Sequence, residues 1–172
     1  ISRKKGKHFE RIQILDSVLR SNITSINQAG SDLWITTESD GALLIYNPEE
    51  SAENLKFEHY LKGISLGDQV FNSLFTSKGD LYFITNVGIR KFNKARNTFE
   101  IFLPKGLFTY FSISAMYEDS KGNLWFGTYN GGLTCMNSGD GSMTYMDSRN
   151  GLASNWITCI TEDHKGNIWT GH

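Results

Sequence analysis

The chain is 172 residues long with a formal net charge of -1, and 39% of its residues are hydrophobic and 20% charged. That is too apolar for a disordered segment and long enough for one domain with a sizeable core. It provides no basic face for nucleic acid or an anionic membrane, and no run nears the roughly 18–20 apolar residues of a membrane span. With 17 glycines, 2 prolines and 13% aromatics, the composition describes an all-β protein of short strands and glycine turns.

In chain order, Arg3 to Lys7 is a short basic cluster broken by Gly6 and reads as a solvated turn. Gly6-Lys-His-Phe-Glu-Arg-Ile12 then reads as a turn and closing strand, so residues 1–19 are expected to end a preceding unit. Gly30-Ser-Asp-Leu-Trp-Ile-Thr-Thr37 opens a pattern that returns three times. The later copies are Thr76-Ser-Lys-Gly-Asp-Leu-Tyr-Phe-Ile-Thr85, Ser114-Ala-Met-Tyr-Glu-Asp-Ser-Lys-Gly-Asn-Leu-Trp-Phe-Gly-Thr128 and Thr158-Cys-Ile-Thr-Glu-Asp-His-Lys-Gly-Asn-Ile-Trp-Thr-Gly171. The anchoring aromatics Trp34, Tyr82, Trp125 and Trp169 are spaced by 48, 43 and 44 residues. A period of roughly 40–45 residues fits a propeller blade of four antiparallel strands, a to d from the axis outward.

The expected fold is therefore a β-propeller segment of about four blades, each a four-stranded antiparallel sheet, within a larger ring. Expected blades span 20–66, 67–109 and 110–152, with residues 153–172 forming the first half of another. In the third copy the strands are expected at Phe111–Glu118, Leu124–Thr128, Leu133–Asn137 and Ser142–Asp147. Asp119 and Asp163 suit acceptors for the amides of their own turns. Gly79, Gly122 and Gly166 sit where a tight turn needs positive φ. The aromatic three residues after each of these glycines is expected to fill the wedge between neighbouring blades.

The string Tyr117-Glu-Asp-Ser-Lys-Gly-Asn-Leu-Trp-Phe-Gly-Thr-Tyr-Asn-Gly-Gly-Leu133 resembles the two-component regulator propeller repeat. Asn150-Gly-Leu-Ala-Ser-Asn-Trp-Ile-Thr-Cys-Ile160 is similar to that repeat's linker into the next inner strand. The first two copies depart: Gln28-Ala-Gly-Ser-Asp-Leu-Trp34 lacks the acidic residue, and the second has Tyr82 for Trp and Asn86-Val-Gly-Ile89 for Gly-Gly-Leu. The resemblance implies a large periplasmic sensor propeller followed by a small sandwich domain, one membrane helix and a histidine kinase. It also implies a protein of the hybrid two-component type common in gut Bacteroidetes, responding to glycan breakdown products.

No Walker loop, dinucleotide fingerprint, His-Glu-x-x-His, Cys-x-x-Cys or Gly-x-Ser-x-Gly occurs. His8, His59, His164 and His172 are scattered, and Cys135 and Cys159 lie in strand-like runs where cysteine acts as a small hydrophobe. No catalytic residue, metal or cofactor is expected. Turn spacing and the lack of a recognisable arginine triad count against a sialidase, and the lack of a histidine in an axial loop counts against a lyase; either reading requires catalytic residues in blades outside this chain.

Propeller ligand sites form where the d–a and b–c loops converge on one face. The d–a candidates are Arg20, Asn22, Asp68, Gln69, Tyr110, Asn155 and Trp156; the b–c candidates are Glu38, Asp40, Asn86, Tyr129 and Asn130. Aromatic faces beside amides and carboxylates suit sugar rings. The expectation is a non-catalytic, periplasmic, ligand-sensing module for an oligosaccharide or other small ligand. Its further partners would be the remaining blades of the same protein and, in one arrangement, a second copy, with no nucleic acid or membrane contact. The alternatives are a protein-interaction scaffold or a fragment of a propeller lyase or glycosidase.

Overall fold

The computed structural model describes residues 1–13, 20–60, 70–104 and 113–172, in which every regular element is a β-strand. The chain forms two compact units, Ile1–Val70 and Phe71–His172.

In the first unit β1 (Ser2–Lys5) and β2 (His8–Arg11) form a hairpin around Gly6, whose φ is 62°. Strands β3 (Ile23–Ala29), β4 (Asp32–Thr37), β5 (Ala42–Tyr46) and β6 (Lys56–Tyr60) form an antiparallel meander in chain order. Alternate residues of a strand face opposite sides, and Ile35, Leu43 and Ile45 turn into a core with Ile12 and Leu55. Trp34 is 3% exposed, its ring 5.1 Å from that of Tyr60. Arg3 ties the hairpin to the unit by donating to the carbonyls of Pro48 and Glu50 while pairing with Glu10 at 2.7 Å.

The second unit repeats the meander twice and begins it again. Strands β7 (Val70–Phe75), β8 (Leu81–Thr85), β9 (Gly88–Asn93) and β10 (Thr98–Pro104) make one sheet. The next comprises β11 (Ile113–Glu118), β12 (Leu124–Thr128), β13 (Leu133–Met136) and β14 (Met143–Met146). A two-stranded sheet of β15 (Cys159–Glu162) and β16 (Ile168–Gly171) follows. These agree with the strands expected in the third copy to within a residue or so at each end; residues 111–112 lie outside the described ones. Tyr82, Ile84, Ile89, Leu103, Ile113, Leu124 and Phe126 form one buried cluster.

The first turn of the last two repeats is organised by a carboxylate. Asp119 Oδ1 accepts the backbone amides of Lys121 (3.0 Å) and Asn123 (2.8 Å), and Oδ2 accepts the Asn123 amide (2.9 Å) and the Trp125 indole (2.8 Å). Asp163 repeats the set with Lys165, Asn167 and Trp169, every bond at 2.9 Å. The glycines of the three turns have φ of +84° (Gly79), +80° (Gly122) and +81° (Gly166), as the turn requires. In the second copy Thr76 stands in for the aspartate, its hydroxyl exchanging bonds with the amide and carbonyl of Asp80.

The anchoring aromatics differ in burial: Trp34 and Tyr82 are buried, Trp125 is half-buried, and Trp169, in the two-stranded sheet, is 62% exposed. Tyr82 packs in one cluster with Leu124 and Phe126 of the following sheet. The cysteines are free: Cys135 lies half-buried across from Trp125, and Cys159 is exposed in the two-stranded sheet.

Neighbouring sheets of this unit are joined by the glutamate before the aspartate. Glu118 accepts from the amide (2.6 Å) and hydroxyl (3.0 Å) of Ser77 in the preceding turn. Glu162 grips Ser120 in the same way, at 2.7 and 2.8 Å. At the far end of the sheet Ile157, fully buried, packs on Gly127, where an added Cβ would lie 2.5 Å from Ile157 Cγ2.

Two predictions follow from these contacts. Gly127→Ala overpacks the β12–β15 contact and lowers unfolding free energy in urea by about 1–3 kcal/mol. Combined with Ile157→Ala it costs less than the two single losses added, because the new methyl occupies the vacated space; strict additivity would contradict the packing. The second concerns acid. Burial opposes ionisation at Asp119, but the indole and amide donors outweigh it, and the Trp169 and Asn167 bonds likewise hold Asp163 well below the usual carboxylate range. Groups depressed in the folded state contribute stability above the ordinary aspartate pKa and lose it as pH falls through the folded value. Stability therefore declines below about pH 4, and Asp119→Asn with Asp163→Asn, less stable at neutral pH, shows a shallower decline in acid melts.

Candidate functional site

In an antiparallel meander the b–c turns lie at the opposite end of the sheet from the aspartate turns, and the d–a crossings return to that same end. Strand β12 closes on Thr128, only 2% exposed, whose hydroxyl donates to the Gly132 carbonyl (3.1 Å) and accepts from Gly131 N (2.7 Å). Thr37 and Thr85 staple their own b–c turns through Gly41 and Gly88. A short side chain that bonds its own turn is what sequence favours at such a corner.

The crossing from β14 to β15 is fastened to this turn by two backbone bonds. Gly132 N donates to the Asn155 carbonyl (2.9 Å) and Ile157 N to the Thr128 carbonyl (2.8 Å). Gly132 lets the strands come this close, since a Cβ there would lie 2.2 Å from the Met146 carbonyl. Trp156 sits between the two anchors. With its neighbours pinned and Ile157 pointing inward, its ring is directed outward against Tyr129. The two rings meet edge to face, with centroids 5.6 Å apart and planes at 90°. Tyr129 remains 49% exposed and Trp156 52%, so both keep apolar faces open to solvent.

Polar groups surround the pair. Asn130 is exposed, and Asn155 is held by its Oδ1, which accepts Ser148 N at 2.7 Å. The Ser154 hydroxyl accepts Trp156 N at 3.0 Å. His172 donates from Nδ1 to the Trp156 carbonyl at 3.1 Å. The structure thus gathers four candidates, Tyr129, Asn130, Asn155 and Trp156, at one end of one pair of sheets.

In the first unit the candidates also meet, but they bond one another. Asp40 Oδ2 accepts the amides of Arg20 and Ser21, each at 2.7 Å, and Asn22 Nδ2 donates to Glu38 at 3.0 Å. Burial opposes the charge on Asp40, yet the Arg20 and Ser21 amides prevail and hold its carboxyl below the usual range. These side chains build the corner and present no aromatic face. Asn86, in the β8–β9 turn, carries a buried Oδ1 without a hydrogen-bond partner among the described residues. Asp68, Gln69 and Tyr110 lie outside the described residues.

Residues 106–130 and 151–172 match the family model of the two component regulator propeller. These two segments are thus similar to two component regulator propeller repeats. No curated protein sequence matches the chain significantly. Among solved structures, the chain is similar to the extracellular domain of BT3049 from B. thetaiotaomicron, a protein assigned as a hybrid two component system: 25% identity, TM-score 0.69, covering 92% of this chain and 21% of that one. The extracellular domain of BT4673 from the same organism, assigned likewise, matches at 25% identity and TM-score 0.68, over 89% of this chain and 21% of that one. The chain thus spans about a fifth of the length of these relatives. Virginiamycin B lyase from Staphylococcus aureus shares the fold at 16% identity and TM-score 0.60, over 87% of this chain and 48% of that one. The fold is that of a β-propeller segment.

The inter-sheet glutamates were missing from the sequence-derived candidates. The signal was there: Glu118 and Glu162 each precede the turn aspartate, and a serine follows the turn's first residue one repeat earlier, at Ser77 and Ser120. The exposed ring pair makes its own prediction. Trp156→Ala and Tyr129→Ala each change the unfolding free energy measured in urea by no more than about 0.5–1 kcal/mol, because neither ring is a core residue; a loss of several kcal/mol in either variant would make the pair structural.

Proposed function

We propose that the chain is part of the extracytoplasmic ligand-sensing region of a two-component signalling protein and that the Tyr129–Trp156 pair is its sugar-contacting surface. The observation that carries this is the pair itself: two half-exposed rings, held edge to face by backbone bonds on either side of Trp156, beside the free amide of Asn130. Sugar rings combine apolar C–H faces with hydroxyls, and pre-formed aromatic faces next to neutral polar groups match both. The likeness to extracellular domains of hybrid two component systems supports the placement outside the cytoplasm and a non-catalytic role.

Signalling requires that a ligand favour one of two states of the assembly, since equal affinity for both shifts nothing. The position of the pair supports the reading, since Tyr129 belongs to the β12–β13 turn and Trp156 to the crossing into β15, so that a ligand on both rings is sensitive to how the two are arranged. The test is titration of the chain with a panel of oligosaccharides, followed by tryptophan fluorescence and calorimetry. At least one sugar binds, and Trp156→Ala and Tyr129→Ala each weaken it about tenfold or more. A flat response to every sugar, with a protein partner captured instead through the blade edges, would make the segment a scaffold.

A further inference from the structure

The loops around the ring pair carry an unusual charge pattern for an exposed surface. Tyr129, Asn130, Gly131 and Gly132 are all neutral, and the crossing from residue 147 to residue 158 contains only Asp147 and Arg149 as charged residues. Those two bond each other: Arg149 Nε lies 2.9 Å from Asp147 Oδ2, and a second guanidinium nitrogen reaches the same oxygen. The Arg149 guanidinium is the main cause holding the Asp147 carboxyl below its usual range. The pair is further set by the turn, in which Arg149 N donates to Asp147 Oδ1 (2.8 Å) and Asp147 N to Asn150 Oδ1 (2.7 Å).

The groups with capacity to spare are of another kind. The Tyr129 hydroxyl, the Asn130 amide, the Asn155 amide nitrogen and the Trp156 indole N–H make no side-chain hydrogen bond to any described residue. All four are uncharged. An anionic ligand brought against the two rings loses part of its hydration and gains no cation in return, which is costly. Drawing Arg149 away to meet it leaves Asp147, only 22% exposed in its side chain, without its partner. Hydroxyls incur no such cost, since each exchanges water for a neutral donor or acceptor.

We infer that the Tyr129–Trp156 surface accepts neutral oligosaccharide segments and discriminates against those bearing uronate or sulfate groups. This rests on the reading of that pair as the sugar-contacting surface, and it names the ligand class. The complete chain is titrated near pH 8 and low salt, where imidazole side chains are generally neutral, with neutral hexose and pentose oligosaccharides and with uronate and sulfated oligosaccharides of matched length.

The expected result is that a neutral ligand binds about tenfold or more tighter than any acidic counterpart, and that Trp156→Ala abolishes this binding. Asn130→Lys, an exposed substitution that places a cation beside the rings, raises acidic-ligand affinity about two- to fivefold. Acidic ligands binding as tightly as neutral ones, and losing that affinity in Trp156→Ala, would overturn the inference and leave the surface assignment standing. Binding by neither class, or binding indifferent to Trp156→Ala, would overturn the surface assignment and the inference with it.

Discussion

The arrangement of the second unit depends on one carboxylate held by four donors. Asp119 collects two backbone amides, one side-chain amide and one indole within 3.0 Å. Each bond closes a different part of the repeat: the amides shape the turn, and the indole brings strand β12 into line with it. A charged acceptor strengthens every one of these bonds relative to a neutral one. Once the turn has this shape, the residue after the aspartate projects its amide and hydroxyl away from its own sheet, where the next sheet's glutamate receives them. Glu118 with Ser77 and Glu162 with Ser120 are the same joint made twice. Register between sheets is thereby set by polar geometry at one end and by apolar packing at the other.

The other end depends on close approach. Gly127 has no side chain because Ile157 occupies that volume, and Gly132 has none because the Met146 carbonyl does. These two absences bring the crossing chain within hydrogen-bonding distance of the β12–β13 turn. The backbone bonds from Gly132 and Ile157 then bracket Trp156 and leave its ring no inward direction. The exposed pair is thus a consequence of how two sheets are joined. The first unit shows what the corner does without those aromatics: Asp40 accepts local backbone amides and Asn22 donates to Glu38.

Much of this was legible in the residues. A strong period, glycines at fixed offsets and, in the last two copies, an aspartate three residues before the glycine specify strand, turn and strand, and β12 falls on Leu124–Thr128 as expected. The loop positions of Tyr129, Asn130, Asn155 and Trp156 were legible too, because loop position in a meander follows from strand count. Less legible was what each polar side chain bonds. Glu38 and Tyr129 occupy comparable turns, yet one belongs to a closed set of corner bonds and the other stays open; that difference depends on partners distant in sequence. Period alone shows that Trp125 and Trp169 recur, but it does not show that each indole also donates to its turn carboxylate, a bond that serves the repeat besides packing.

Joint and ring pair lie at opposite ends of the same two sheets, β11–β14 and β15–β16. A molecule seated on Tyr129 and Trp156 touches both sheets, while the Glu162–Ser120 joint holds their other ends. Between them Ile157 rests on Gly127, a contact with no room for compression. A body fixed at one end and packed tightly in the middle responds to a load at the other end by rotating or by resisting, and close-packed interiors favour discrete arrangements over gradual deformation. If the joint held and the packing were loose, a ligand would be absorbed locally and nothing would reach the neighbouring sheet. The tight Gly127–Ile157 contact is therefore what would give a small ligand on this surface mechanical consequence beyond the loops it touches.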